Sequence, residues 1–177
     1  MKKIFAMLLA LAMMFSMVAC GGTTTQPTEA VAKVEGTMEE LLNKIVEINP
    51  VEFMGMTMPI DLTDTSEEGL WMLKDNTGLE NADNITEAAV FGPAMGSIAF
   101  SMAMVRTAEG ADVKAVAETM KSNIDPRKWI CVEADDLQVV SFGDVVMLIM
   151  VETTNGMASQ PFVDAFAQVC GGSVTTY

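Results

Sequence analysis

The chain has 177 residues, a formal charge of −14 and no histidine. The acidity argues against a nucleic-acid partner and against electrostatic docking on anionic lipid, since both need clustered cations. The missing imidazole excludes every catalytic triad built on it, and removes the commonest general base and transition-metal ligand.

The chain begins with Lys2 and Lys3, then an uncharged apolar run whose one hydroxyl is Ser16. The run is too short for a comfortable membrane span and ends in small residues, as a cleavable export signal does. Met17-Val18-Ala19-Cys20 closes it. A cysteine directly after such a signal marks a lipoprotein, in which the thiol takes a diacylglycerol before cleavage. Met17 stands where leucine is usual, a change that keeps size and polarity. Residues 1–19 are therefore expected to leave as a signal peptide, with Cys20 as the lipidated first residue. Two acyl chains anchor stably where one holds only reversibly. The alternative is a plain secretory cut or a retained N-terminal helix. Removing the signal takes away two lysines and no acid, so the remainder is more acidic still.

Residues 20–36 open with Gly21-Gly22-Thr23-Thr24-Thr25-Gln26-Pro27 and read as a flexible tether. No later stretch reaches the length of an apolar span, which places the expected domain, 37–172 with a tail at 173–177, on the outer face of the cytoplasmic membrane. Thr37-Met38-Glu39-Glu40 is a capping box opening a helix that presents Leu41, Leu42 and Ile45 on one face and closes before Pro50. Residues 51–63 read as a loop or short irregular strand. Thr65-Ser66-Glu67-Glu68 starts a second helix, carrying Leu70, Trp71 and Leu73, that Gly78 stops.

Residues 85–91 and 97–106 predict a first hairpin. Gly110-Ala111-Asp112 opens a third helix with Val116, Ala117 and Met120 on one face, ended by Pro126. Residues 138–142 and 144–152 predict a second hairpin around Gly143. Its run Val145-Val146-Met147-Leu148-Ile149-Met150-Val151 lacks polar alternation and predicts a central strand covered on both faces. Ser159-Gln160-Pro161 enters a last helix, with serine as cap and Gly171 as stop. The fold class is α+β: a small mixed four-stranded sheet from two hairpins, with helices packed on it.

Ala99-Phe100-Ser101-Met102, Gly110-Ala111-Asp112-Val113, Asp125-Pro126-Arg127-Lys128-Trp129-Ile130 and the turn Gly143-Asp144-Val145 carry a resemblance. Over about 85–170 the chain resembles an uncharacterised family of Firmicutes lipoproteins defined only as a domain of unknown function. The resemblance implies location and fold. It brings no functional residue apart from the lipobox cysteine, Cys20.

Met54-Gly55-Met56-Thr57-Met58 is the most unusual local pattern. In an extended chain the three thioethers share a face, where they suit a soft metal ion or an adaptable partner surface. Methionine is abundant throughout, however, and fills irregular cores. Asp61, Asp64, Glu67 and Glu68, and Asp75, Asn76, Glu80, Asp83 and Asn84, offer oxygen ligands of the calcium type. Neither group has the twelve-residue loop spacing, and the first reads better as a helix N-terminus. Asp125-Pro126-Arg127-Lys128-Trp129 reads as a helix stop with Trp129 turned inward, or else as an anion or partner contact. Outside the cytoplasm Cys131 and Cys170 could pair if the fold brings them together; their apolar surroundings favour the reading as buried, unpaired thiols.

No hydrolase elbow, phosphate loop, dinucleotide fingerprint or zinc spacing occurs. The expectation is a non-catalytic envelope interaction or scaffold module without cofactor or metal, joined to the bilayer through diacylglyceryl-Cys20 and meeting a partner at Met54, Met56, Met58 and Trp71. A solute- or cation-binding lipoprotein is the alternative, and an envelope hydrolase a more distant one.

Overall fold

The computed structural model describes residues 32–95 and 98–177. The expected signal peptide, Cys20 and most of the tether lie outside the described residues, as do Gly96 and Ser97 of the first hairpin. The described chain is α+β, with helices α1 (Met38–Ile48), α2 (Glu67–Thr77), α3 (Val113–Asn123) and α4 (Gln160–Cys170). The strands are β1 (Gly55–Pro59), β2 (Ile85–Pro93), β3 (Phe100–Thr107), β4 (Asp136–Phe142), β5 (Val145–Val151) and β6 (Thr175–Thr176). None of the described helices is long and apolar enough to cross a membrane.

The helices start and stop where local chemistry dictates. Thr37 Oγ1 accepts from Glu40 N, and Glu40 Oε2 accepts from Thr37 N, completing the predicted capping box. Such a cap stabilises a helix by about 1 kcal/mol. Ser66 and Asp112 cap α2 and α3, and Gly78 and Gly171 close α2 and α4 in the left-handed conformation. Ser159 differs from expectation and makes no side-chain cap bond. Its N–H and hydroxyl instead donate to Asp136 at 2.8 and 2.7 Å, and its Oγ accepts from Gln138 Nε2 at 2.7 Å, which turns the oxygen away from the helix amides.

The sheet corrects the predicted one. It has six strands, not four, in the order β1-β2-β3-β5-β4-β6, and every pairing is antiparallel, so it is not mixed. Helix α3 carries the chain from β3 to β4, and β5 then folds back into the space between them. The parallel strands β3 and β4 are thereby never neighbours. The two additional strands come from the irregular segment before α2 and from the expected tail at 173–177.

Helices cover both faces. Met38, Leu41, Leu42 and Ile45 of α1 and Phe162 and Phe166 of α4 pack against Phe91, Phe100, Met102, Met147 and Ile149. On the other face Leu73 of α2 and Val116 and Met120 of α3 pack against Val90, Val105, Leu148 and Met150. All seven residues of β5 are buried, as its unbroken apolar run predicts.

The end of the expected tether is not free. Asp144 N donates to Ala32 O at 2.9 Å, and Val34 N donates to Asp144 Oδ1 at 2.9 Å. Arg106 donates to Val34 O at 3.0 Å, Gly36 O at 2.5 Å, Asp144 Oδ2 at 2.7 Å and Glu87 Oε2 at 3.3 Å. Glu87 also accepts from Met38 N at 2.8 Å. Gly143 has φ +55°, and a Cβ there would meet Ala32 O at 2.0 Å, so both its backbone and its space require glycine. Residues 32, 34 and 36, within the expected tether, are therefore bonded to the folded domain. Burial alone would weaken the proton affinity of Arg106, but the hydrogen bond and charge of Asp144, then those of Glu87, outweigh it and raise its pKa.

Candidate functional site

The methionine segment forms an edge strand. Pro50 ends α1, the chain turns through 51–54, and β1 then pairs with β2 on one side only. Phe53 is the pivot. Its ring centroid lies 5.2 Å from that of Phe100 and 6.3 Å from that of Phe91. Gly55 follows because a Cβ there would stand 2.3 Å from the Phe91 ring. Thr57 Oγ1 donates to Asn43 Oδ1 of α1 at 2.6 Å, tying the strand to the helix layer.

The hydrogen-bond phase of β1 follows from its ends. Ala94 N donates to Met54 O, and Ile60 N donates to Ala88 O. In an antiparallel ladder bonded pairs alternate, so Met56 and Met58 also turn their backbone toward β2. Gly55 and Thr57 then direct their N–H and C=O groups outward, and Pro59 presents an outward carbonyl without a donor. No residue of β1 is charged.

The side chains of Met56 and Met58 lie opposite Gly92 and Val90, and Val90 belongs to the α2/α3 core, so both thioethers are on that face. Their exposures are 50% and 40%, with Met54 at 80% and Trp71 at 60%. All four predicted patch residues are thus solvent-exposed, and Trp71 stands on α2, which covers the same face. Leu73 and Thr77 form the buried side of α2, leaving Trp71 outside.

Behind Phe53, on the α1/α4 face, a cavity of about 560 Å³ opens between the C-terminus of α1, the residues before β3 and the entry to α4. Asn49, Glu52, Phe53, Ile98, Met157 and Phe162 are among its lining residues. Among the described lining residues Glu52 is the one that carries a charge. The Phe100 ring stacks edge-on against Phe162, with centroids 5.1 Å apart, and so joins the two lining rings from below. Asp135 accepts from Thr153 N at 2.7 Å and Thr153 Oγ1 at 2.6 Å, while Asp136 holds Ser159. Two adjacent aspartates at the start of β4 therefore fix both ends of the segment that walls this cavity. The Thr153 side-chain and backbone bonds hold Asp135 below the usual aspartate pKa.

A second cavity, about 310 Å³, lies between α3 and the start of β2 and includes Glu80 and Asp112. Both carboxylates are engaged: Glu80 pairs with Lys74 at 3.0 Å, and Asp112 caps Ala115 N at 3.1 Å. Asp61 and Asp64 accept from Thr63 and Ser66 in successive turns, which keeps both carboxyls below their usual pKa. Among the described residues no three acidic or cysteine side chains converge as a metal site.

Lys128 has its side chain buried and donates to Asp75 O at 3.0 Å, Asn76 Oδ1 at 3.1 Å and Ser101 Oγ at 3.4 Å. It binds the carbonyl end of α2, a different helix from the one it follows in sequence. Burial lowers its pKa, with Asp75 opposing. Trp129 is packed against the α2/α3 core, 5.5 Å from the Lys128 ammonium. Cys131 and Cys170 are both free, the first exposed in the loop after α3 and the second against the α1/α4 core. Burial, then the charge of Asp144, pushes the Cys170 thiol up to about 11, so it is a poor nucleophile.

Sequence reasoning missed Phe53 and Phe162 as cavity walls and Arg106 as a clamp. A single guanidinium near the end of an otherwise uncharged strand was the available signal for the clamp. No family model, curated protein or solved structure matches the chain.

Proposed function

We propose that the chain is a membrane-anchored extracytoplasmic lipoprotein that recognises another cell-envelope protein by accepting an extended segment along β1, without catalysis of its own. The observation that carries the reading is the uncharged edge strand, with the Gly55 and Thr57 amides directed outward beside exposed Met56 and Met58. Strand addition takes its affinity from main-chain hydrogen bonds and its selectivity from side chains that alternate along the edge. Thioethers adapt to varied partner side chains. Cys20, diacylated, holds the chain on the outer face of the cytoplasmic membrane. The likeness of 85–170 to the Firmicutes lipoprotein family belongs with this proposal and adds location, not chemistry.

A solute- or cation-binding lipoprotein is the second reading, favoured by the cavity behind Phe53. An envelope hydrolase has less support, because Glu80 and Asp112, the two carboxylates sharing a cavity, are committed to Lys74 and to the α3 cap.

A photoreactive side chain at position 58, activated in the native envelope, tests strand addition. It is expected to yield one discrete adduct that Thr57→Pro abolishes while leaving the melting temperature within a few degrees, since proline is tolerated where an edge N–H faces solvent. An adduct that survives Thr57→Pro, or labelling from position 175 on β6 instead, would overturn it.

A further inference from the structure

We propose that the cavity behind Phe53 is a binding site for a small organic ammonium ion with an apolar body. Its shape sets the size class, since about 560 Å³ lies within the range of pockets that enclose small molecules. Its walls set the chemistry. Phe53 and Phe162 supply aromatic rings, and Ile98 and Met157 add apolar and polarisable surface. Aromatic faces attract cations through the negative lobe of the ring, and quaternary and primary ammonium ions are bound in this way.

The charge around the cavity has one sign. Glu52 contributes a carboxylate, and among the described residues no basic side chain lines the space. Two helix ends open onto it, and their fields would cancel if both were bare. They are not equivalent. The positive N-terminus of α4 is already met by the Asp136 carboxylate through Ser159. The negative C-terminus of α1 has no basic residue in its last turn, and Asn49, which caps it, lines the cavity. The net field favours a cation and disfavours a carboxylate.

The walls are also preorganised. Asp135 and Asp136 pin the segment carrying Met157, and Phe100 buttresses both lining rings, so little ordering remains to be done on binding. The site does not depend on strand addition at β1, and either can fail alone.

The test uses the full chain in a non-ionic detergent, with methionine methyl groups labelled and the Met157 resonance assigned by its loss in Met157→Leu. Three probes share one ring and differ in charge: 2-phenylethylammonium, 2-phenylethanol and phenylacetate. The ammonium is expected to shift the Met157 methyl at millimolar concentration, the alcohol more weakly, and the anion least. Glu52→Gln should weaken the ammonium by about threefold, the scale of an exposed ion pair, without changing the alcohol. Phe53→Leu keeps the apolar wall but removes a ring, and should cost the ammonium about fivefold more than the alcohol. Phenylacetate binding as tightly as the ammonium would overturn the proposal. So would a Met157 resonance that no probe moves, or equal losses for ammonium and alcohol in Phe53→Leu.

Discussion

At one edge of the sheet β6 contributes two threonines; at the other, β1 runs five residues with its Gly55 and Thr57 amides turned outward. The short edge is also fastened. Tyr177 N donates to Val139 O at 3.0 Å, its hydroxyl meets Ser141 Oγ at 2.8 Å, and the Lys121 ammonium of α3 reaches the Tyr177 carbonyl. Proteins blunt their edges with short strands, charges or covering elements, because unpaired ladders recruit other chains. This chain does so at β6 and not at β1. The asymmetry is what strand addition at β1 would use.

A residue remote from both edges sets the scale for testing that difference. Arg106→Ala strands Glu87 and Asp144 with reduced solvation and releases residues 34–36, so it should cost about 2–4 kcal/mol in urea unfolding. Two glycines then compare the edges directly. A Cβ at Gly55 meets the Phe91 ring at 2.3 Å, and one at Gly172, before β6, meets the Phe142 ring at 2.4 Å. Phe91 is locked in the aromatic cluster, whereas Phe142 is only partly buried. Gly55→Ala is therefore expected to lose about 1–3 kcal/mol, and Gly172→Ala clearly less, by thermal denaturation. Equal losses would erase the distinction.

Smaller again is Tyr177→Phe, which removes the hydroxyl contact to Ser141 and should cost about 1 kcal/mol. Light scattering should show increased self-association if β6 protects the β4 edge. The smallest effect is that of acid. Asp61, Asp64 and Asp135 have pKa values depressed below 3.8 by side-chain and backbone hydrogen bonds. A group with a lowered folded pKa stabilises fully above its unfolded value, and that contribution fades as pH falls through the folded one. Stability should thus decline below about pH 4. Hydrogen exchange should rise first in the turn at 61–66 after β1, with β6 unaffected. Exchange rising first at β6 would contradict the assignment.

Local signals in the chain were reliable because local chemistry decides them. The Thr37–Glu40 box, the glycine stops at 78 and 171, and the seven-residue apolar run of β5 each say what their neighbours must do. Non-local competition was invisible. Asp136 takes Ser159 from across 23 residues, and Arg106 reaches Gly36 across 70, separations at which no spacing rule operates. The mixed sheet was expected because β3 and β4 flank a crossover helix, and nothing local shows that β5 inserts between them. The shared face of Met54, Met56 and Met58 was legible from their alternation, but the outward amides of Gly55 and Thr57 emerge only from the β1–β2 register.

The proposed location and role both depend on the chemistry of Cys20. Intact-mass measurement of the chain extracted from its native membrane tests this most directly. The account predicts a polypeptide beginning at residue 20 and heavier by a diacylglyceryl group. A chain with an unmodified thiol at that position, or with residues 1–19 still attached, would contradict it.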